Sequence, residues 1–213
     1  MFLVFEGADG SGKTTQVNLL AERLRRQGYR VVTVREPGGT AVGEKVREIL
    51  LDPATGDIET QTELFLFLAA RAELVARRIR PAIDSGSIVI SDRYLWSSVA
   101  YQGMAAGLGW PVVMRVGRLA ASLKPTMTFI LDVPTEIAFG RTAKSDRMEK
   151  RGFDFQEQVR RGYLLLAGQY PKKVAVIDGR GTPGAVHRRV VRRLPDRGWK
   201  ILTRSRGRKQ GGS

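Results

Sequence analysis

The chain has 213 residues, enough for one well-cored domain and short for two, and it contains no cysteine. Disulfides and thiolate zinc sites are therefore excluded, and a cytoplasmic setting is the expectation. A net charge of +15 favours polyanionic partners, but +9 of it falls in residues 186–213, where ten Lys/Arg face Asp196 alone.

The opening Met1-Phe2-Leu3-Val4-Phe5 turns glycine-rich without a basic leader, and no apolar run approaches the roughly 18 residues of a membrane span. A soluble protein without a membrane partner is expected. Short apolar runs bounded by turn residues occur at Phe2–Glu6, Arg30–Val34, Ser87–Ser91, Thr126–Asp132 and Lys173–Asp178, and each reads as a buried strand. Between them, Thr14–Arg26 places Val17, Leu20, Ala21 and Leu24 on one helical face with Gly28 beyond it, and Glu63–Ile79 is a longer apolar-periodic stretch. Strand and helix alternate, which predicts an α/β fold: a doubly wound five-stranded parallel sheet flanked by helices, with ligands at the carboxyl ends of the strands. Residues 1–195 are expected to form this domain. Residues 196–213 read as a basic, flexible tail that is either simply solvated or makes weak nucleic-acid contact.

Directly after the first strand, Gly7-Ala8-Asp9-Gly10-Ser11-Gly12-Lys13-Thr14 satisfies the G-x-x-x-x-G-K-[ST] pattern of a P-loop. Its glycines let backbone N–H groups turn toward phosphate, and the helix N-terminus adds partial positive charge. Lys13 can reach the β- and γ-phosphates, while the Thr14 hydroxyl can ligate Mg²⁺. Asp9 inside the loop would be repelled by a triphosphate, so it needs another partner: a sugar hydroxyl, a water on the metal, or its own loop backbone.

Further along, Arg35 and Arg93 each follow a strand, which puts planar guanidinium forks at the carboxyl edge beside the P-loop, where they suit a second phosphate. Phe67 and Arg71 are four apart on a predicted helix and share a face. That pair could stack on a base and meet its edge, or Phe65 and Phe67 could be core with Arg71 paired to Glu63, Glu73 or another carboxylate. Ser98 and Gln102 have the same spacing, and a glutamine amide both donates and accepts. Arg141-Thr142-Ala143-Lys144-Ser145-Asp146-Arg147-Met148-Glu149 lacks the periodicity of a buried face and reads as a mobile loop. His187, the single histidine, falls in the basic C-terminal helix and is expected to face solvent.

Taken together, Phe5-Glu6-Gly7-Ala8-Asp9-Gly10-Ser11-Gly12-Lys13-Thr14-Thr15-Gln16, Arg35-Glu36-Pro37-Gly38-Gly39-Thr40 and Asp92-Arg93-Tyr94 resemble the three motifs of the thymidylate kinase family, in family order. Phe67-Leu68-Ala69-Ala70-Arg71 and Ser97-Ser98-Val99-Ala100-Tyr101-Gln102-Gly103 extend the resemblance, which covers about residues 1–180. It implies a P-loop nucleoside monophosphate kinase of bacterial type that transfers the γ-phosphoryl group of ATP to dTMP, giving dTDP for DNA synthesis. By the same resemblance, Gly7 to Thr15 bind ATP, and Thr14 and Asp92 serve Mg²⁺, Asp92 through water. Arg35, Arg47 and Arg93 hold the acceptor phosphate. Phe67 stacks on thymine, Arg71 reaches its exocyclic oxygen, and Ser97, Ser98 and Gln102 line the pocket. Glu36-Pro37 matches a family turn with a cis bond whose glutamate approaches the nucleotide, and Glu36 and Asp92 are candidates for the metal's outer shell or the sugar.

The Asp-Arg-x-Glu element resembles the family lid, at about residues 141–152. Family members with no arginine in the P-loop supply lid cations instead, so Gly10 and Ser11 here imply that Arg147, then Arg141, then Lys144 brings positive charge to the reaction. The acceptor phosphomonoester is already an anion at neutral pH, so no general base is required, and Lys13, Arg93 and the lid must offset the meeting of two anions. Tyr94 or Tyr101 could exclude a ribose 2′-hydroxyl. A homodimer is implied, with helix faces such as Glu63–Ile79 contributing. The competing readings are a kinase for another nucleoside monophosphate and a nucleic-acid-binding ATPase that uses the tail.

Overall fold

The computed structural model describes residues 1–142 and 146–194. Lys144 and the tail at 196–213 therefore lie outside the described residues. Five parallel strands form one sheet in the order β2-β3-β1-β4-β5, with β1 at Phe2–Glu6, β2 at Val31–Arg35, β3 at Ile88–Asp92, β4 at Met127–Asp132 and β5 at Val174–Asp178. The expected doubly wound sheet is present, and every strand lies within one residue of its predicted bounds.

The central position of β1 explains its unbroken apolar sequence. With a strand on each edge and helices on both faces, none of its side chains meets solvent, so it reads as a run and not as an alternation. Leu3 and Phe5 pack with Val17, Leu20 and Leu24 of α1 (Lys13–Arg26) and with Val186 and Val190 of α9 (Pro183–Arg192). Phe2 and Val4 face the other way, toward Leu68 and Leu74 of α3 (Thr60–Leu74) and Val113 of α6 (Trp110–Ala120). A third cluster joins Ile130 of β4 to Val159 and Tyr163 of α8 (Phe153–Gln169).

The remaining helices connect these layers: α2 at Ala41–Leu51, α4 at Arg80–Asp84, α5 at Leu95–Ser98 and α7 at Thr135–Phe139. Thr40 caps α2 by accepting from the Gly43 N–H at 2.9 Å, as its hydroxyl chemistry favours. The predicted Glu63–Ile79 helix is α3 followed by a wider π turn at Val75–Ile79, just ahead of Pro81. Proline has no N–H and its ring cannot share the α-helical path with the carbonyl four residues earlier, so the turn widens there. A second π segment, Val99–Ala105, continues α5 and carries Tyr101 and Gln102.

His187 departs from expectation. It is half-buried on α9 and its Nδ1 has no hydrogen-bond partner, while burial and the nearby Arg23 push its pKa down. The helix packs one side on α1, the helix that carries Arg23, and the basic neighbours of His187 in sequence gave no sign of this burial.

Candidate active site

A cleft of about 1050 Å³ opens at the carboxyl ends of β1, β2 and β3. Asp9 to Thr15, Arg35 to Pro37, Arg47, Phe67, Asp92, Arg93, Ser97, Ser98, Gln102 and Arg141 all line it. Two of the P-loop glycines are required by their surroundings. Gly7 and Gly10 have φ of 144° and 74°, and a Cβ on Gly10 would stand 2.0 Å from the Ala138 carbonyl oxygen. The loop thus nests against the end of α7.

Lys13 opens α1 and is enclosed, its Nζ donating to the Ala8 carbonyl at 2.8 Å and to Ser11 Oγ at 3.4 Å. Burial, with Arg93 nearby, lowers its pKa to about 8 despite the opposing pull of Asp9 and Asp92. Below pH 8 the ammonium is ready for phosphate; above it, an arriving triphosphate must draw a proton onto Lys13. Calorimetric binding of a nucleoside triphosphate at pH 7 and pH 9, in buffers of different ionisation enthalpy, should show little proton uptake at the lower pH and substantial uptake at the higher. Kd should rise by up to about tenfold per pH unit above 8.

Thr14 Oγ1 donates to Asp92 Oδ2, so the end of β3 and the start of α1 meet at the cleft wall. A hydroxyl and a carboxylate form an all-oxygen donor set of the kind Mg²⁺ takes when most of its other ligands are water and phosphate. The described residues hold no cluster of three or more His, Cys, Asp or Glu that could cage an ion alone.

Arg93 is the hub of the site. Among the described residues it is the only non-glycine with positive φ, at 73°, a left-handed conformation that aims its side chain back across β1. Its Nη1 donates to the Gly7 carbonyl and Ser97 Oγ, both at 3.1 Å, and to Tyr163 Oη at 3.2 Å. Its Nη2 meets Asp9 and, at 3.2 Å, Tyr101 Oη. Burial works against the charge, but Tyr101, Asp9 and Tyr163 outweigh it and raise the Arg93 pKa well above its ordinary value.

Within the protein, Asp9 is held by side chains from outside its own loop. Its carboxylate pairs with Arg93 and accepts from Tyr101 Oη at 2.8 Å and Gln156 Nε2 at 3.1 Å. Burial pushes its pKa up, but Arg93 and Lys13 bring the net shift below the ordinary value. Beneath this layer Glu6, fully buried at the end of β1, accepts from the Tyr94 and Ser97 N–H groups at 3.0 and 3.2 Å. It also accepts from Ser97 Oγ at 2.6 Å and Tyr163 Oη at 3.0 Å. Burial raises the Glu6 pKa, and the hydroxyls of Ser97 and Tyr163 with Arg93 oppose the rise. Ser97 is thus held from below, on the same side as the arginine it supports.

On the opposite wall the Glu36–Pro37 bond is cis, as the motif implied. Arg35 is exposed and pairs with Glu44 at 3.1 Å, while Arg47 donates to the Pro37 carbonyl at 3.0 Å. Glu36 is buried against Arg71, with Nε to Oε2 at 2.6 Å, and its other oxygen has no hydrogen-bond partner. Burial lifts the Glu36 pKa to about 7 in spite of Arg71. Arg71 also donates to Ser98 Oγ and to the Tyr94 carbonyl, each at 3.0 Å, and is 1% exposed. Its guanidinium thus ties Glu36 to Ser98 and to the Tyr94 carbonyl, next to residues that line the cleft. Phe67 does line the cleft, half-buried on the Val46, Leu50 and Ala70 cluster. Phe65 faces solvent. Tyr101 lines the cleft, whereas Tyr94 turns into the core and donates to the Leu123 carbonyl at 3.1 Å.

The two lid arginines take different positions. Arg141 lines the cleft; Arg147 folds onto α3, pairing with Glu63 and donating from Nε to the Leu50 carbonyl at 2.9 Å. A buried carboxylate outcompetes open solvent for a guanidinium, and spacing within the loop carries no sign of it. Glu6, Gln156, Tyr163, Glu63 and Arg151 were absent from the expected set. Only Glu6 had a local signal, as a carboxylate ending a fully apolar strand immediately before the glycine loop.

A family model described as "Thymidylate kinase" matches residues 5–190. A thymidylate kinase of Caldanaerobacter subterraneus subsp. tengcongensis is 46% identical over 198 residues, 92% of this chain and 95% of the relative. One from Thermoanaerobacter sp. strain X514 is 45% identical over 193 residues, covering 89% and 95%. Among solved structures, thymidylate kinase from Ehrlichia chaffeensis superposes with a TM-score of 0.78 at 34% identity, covering 92% of this chain and 98% of that one.

Proposed function

This chain belongs to the thymidylate kinase family and phosphorylates dTMP to dTDP with ATP as donor, and we propose that Arg93 is the residue at which the two phosphates meet. The observation that carries this reading is the Arg93 hub. Its guanidinium lies between the P-loop, through Gly7 and Asp9, and the half of the cleft lined by Phe67, Ser98 and Gln102. Acceptance of another nucleoside monophosphate in preference, or a nucleic-acid-driven ATPase activity, is not favoured.

In this reading Gly7 to Thr15 cradle the ATP phosphates, and Lys13 contacts the transferring group. Thr14 and Asp92 would hold Mg²⁺, Asp92 through water. The cation, when bound, shields charge on the donor phosphates. Arg35, Arg47 and Arg93 receive the acceptor phosphate, Phe67 offers its ring to thymine, and Ser98 and Gln102 meet the base edge. Glu36 and Pro37 shape the floor beneath the sugar, Ser97 and Asp9 orient Arg93, and Tyr101 crowds the position a ribose 2′-hydroxyl would need. Arg141 closes from the lid, with Arg147 released to join it only if Glu63 lets go. No base is called for, because the acceptor oxygen is already anionic; the residues align two anions and neutralise the charge between them.

A cytoplasmic homodimer completes the reading. No helix among the described residues is long and apolar enough to cross a membrane, and exposed Phe65 and Leu119 offer apolar contact area. For the basic tail both expectations stand, simple solvation or weak nucleic-acid contact.

The test is ADP formation from ATP and Mg²⁺ with each nucleoside monophosphate as acceptor. dTMP should be turned over best and dUMP about 10- to 200-fold less efficiently in kcat/KM, since one methyl in a pocket is worth about 1–3 kcal/mol. Equal turnover of purine and pyrimidine monophosphates would remove the base-pocket assignment.

A further inference from the structure

Glu63 is fully buried in the first turn of α3, and beyond its hold on Arg147 it has no role above. Its Oε1 accepts from Gln102 Nε2 at 2.8 Å; its Oε2 accepts from Arg151 Nη2 at 2.6 Å and from Arg147 Nη2. The two arginines belong to the second half of the lid. Arg147 is further fixed by its N–H to the Leu51 carbonyl at 3.0 Å, and Arg151 lies over the Phe155 ring at 4.8 Å. One carboxylate thus joins the lid to a residue of the base pocket.

The bond to Gln102 has a chemical consequence. A carboxylate held between donors offers only lone pairs, so Gln102 must give it the NH₂ end of its amide. The carbonyl oxygen of Gln102 is then the atom left for the cleft, which this residue lines. A pyrimidine whose ring N3 carries a hydrogen, as in thymine and uracil, can donate to that oxygen. Cytosine presents a lone pair at N3 and would be repelled.

We infer that Glu63 is a positioning residue for base selection: without touching substrate, it fixes the Gln102 amide so that the pocket accepts an N3–H donor and rejects cytosine. The inference rests on the reading of this cleft as the dTMP site. A site built around a hydrogen bond rejects the mismatched partner far more strongly than a hydrophobic pocket rejects a missing methyl, so Glu63 would carry the larger part of the discrimination among pyrimidines.

The experiment compares kcat/KM for dTMP and dCMP in the wild type, Glu63→Gln and Arg151→Met. In Glu63→Gln the new amide can present either end to Gln102, which is then free to turn. The dTMP-to-dCMP ratio should fall by at least about tenfold, mainly through a higher KM for dTMP and a lower one for dCMP. General damage to the fold would lower both substrates together and leave the ratio in place. Arg151→Met keeps the Glu63–Gln102 bond and should hold the ratio within about threefold of wild type. If Glu63→Gln does not fold, the triple variant Glu63→Met, Arg147→Met, Arg151→Met replaces the buried charges together, an exchange that buried ionic triads tolerate, and the same fall is expected. A ratio unchanged in the folded Glu63 variant, in an enzyme whose wild type prefers dTMP, overturns the inference alone. A wild type without that preference overturns the reading of the cleft and the inference with it.

Discussion

Replacing Arg93 by methionine should lower kcat/KM for phosphoryl transfer by about 10³-fold or more, the range over which an arginine at transferring phosphates acts. The loss has two sources. The charge itself disappears from the junction of the two substrates, and Asp9 is left without the guanidinium that neutralises it. An uncompensated carboxylate facing ATP phosphates repels the donor, so KM for ATP should rise as well as kcat fall.

Lysine at position 93 should recover little. A single ammonium cannot meet the Gly7 carbonyl, Ser97, Tyr163, Asp9 and Tyr101 together, as the planar fork does. Stability separates backbone from side chain. Removing one partner of a largely buried pair costs about 3–5 kcal/mol, so both methionine and lysine variants should melt earlier, methionine the more. Arg93→Gly loses the same contacts but relieves a left-handed strain worth about 1–2 kcal/mol, and its Tm should exceed that of Arg93→Met. Thermal denaturation and steady-state kinetics on the three variants check these expectations; a methionine variant within tenfold of wild type would remove Arg93 from the phosphate site.

What could be read from the sequence follows the range of the interactions involved. The strands were legible because a central parallel strand is apolar throughout and ends at turn residues, and the P-loop because its chemistry is confined to eight consecutive positions. Phe67, Ser98, Gln102 and Arg141 reach the cleft where motif spacing put them. The pairings among charged groups were not legible. Asp9 meets Gln156 across 147 residues, and Glu6 meets Tyr163 across 157, so no local pattern announces them. Arg71 shows the same limit: its place one turn after Phe67 on α3 is local, but Glu36 lies on the loop after β2, and only packing brings the two together. The π segment at Val99–Ala105 was also missed, because its residues read equally well as an α-helix.

Substitution of Arg71 by methionine should destabilise the protein by an amount that grows with pH. In the wild type, Glu36 has a folded-state pKa of about 7 against an ordinary value of 4.5, because burial outweighs the pairing with Arg71. A raised carboxyl pKa means the folded state holds the proton more tightly than the unfolded one. Its contribution to stability is fully present below about pH 4.5 and is lost as pH rises through about 7. Removing Arg71 withdraws the cation that favours the charged form, so the Glu36 pKa moves further up and the loss continues into more alkaline solution. At pH 6 Glu36 is largely neutral with or without Arg71, and the variant loses mainly its bonds to Ser98 and the Tyr94 carbonyl. At pH 8 to 9 the wild type has an ion pair where the variant has a buried carboxyl that must stay protonated or unfold, and the difference should approach about 3–5 kcal/mol. Denaturant midpoints at pH 6 and pH 8.5 measure this directly. Glu36→Gln should flatten the pH dependence in both backgrounds, and a destabilisation by Arg71→Met that is equal at the two pH values would mean that Glu36 is not the group responsible. Kinetics divide the same way: Arg71 is bonded to Ser98 and Glu36, on the side of the cleft assigned to the acceptor, so dTMP should bind less tightly in the variant while ATP affinity stays close to wild type.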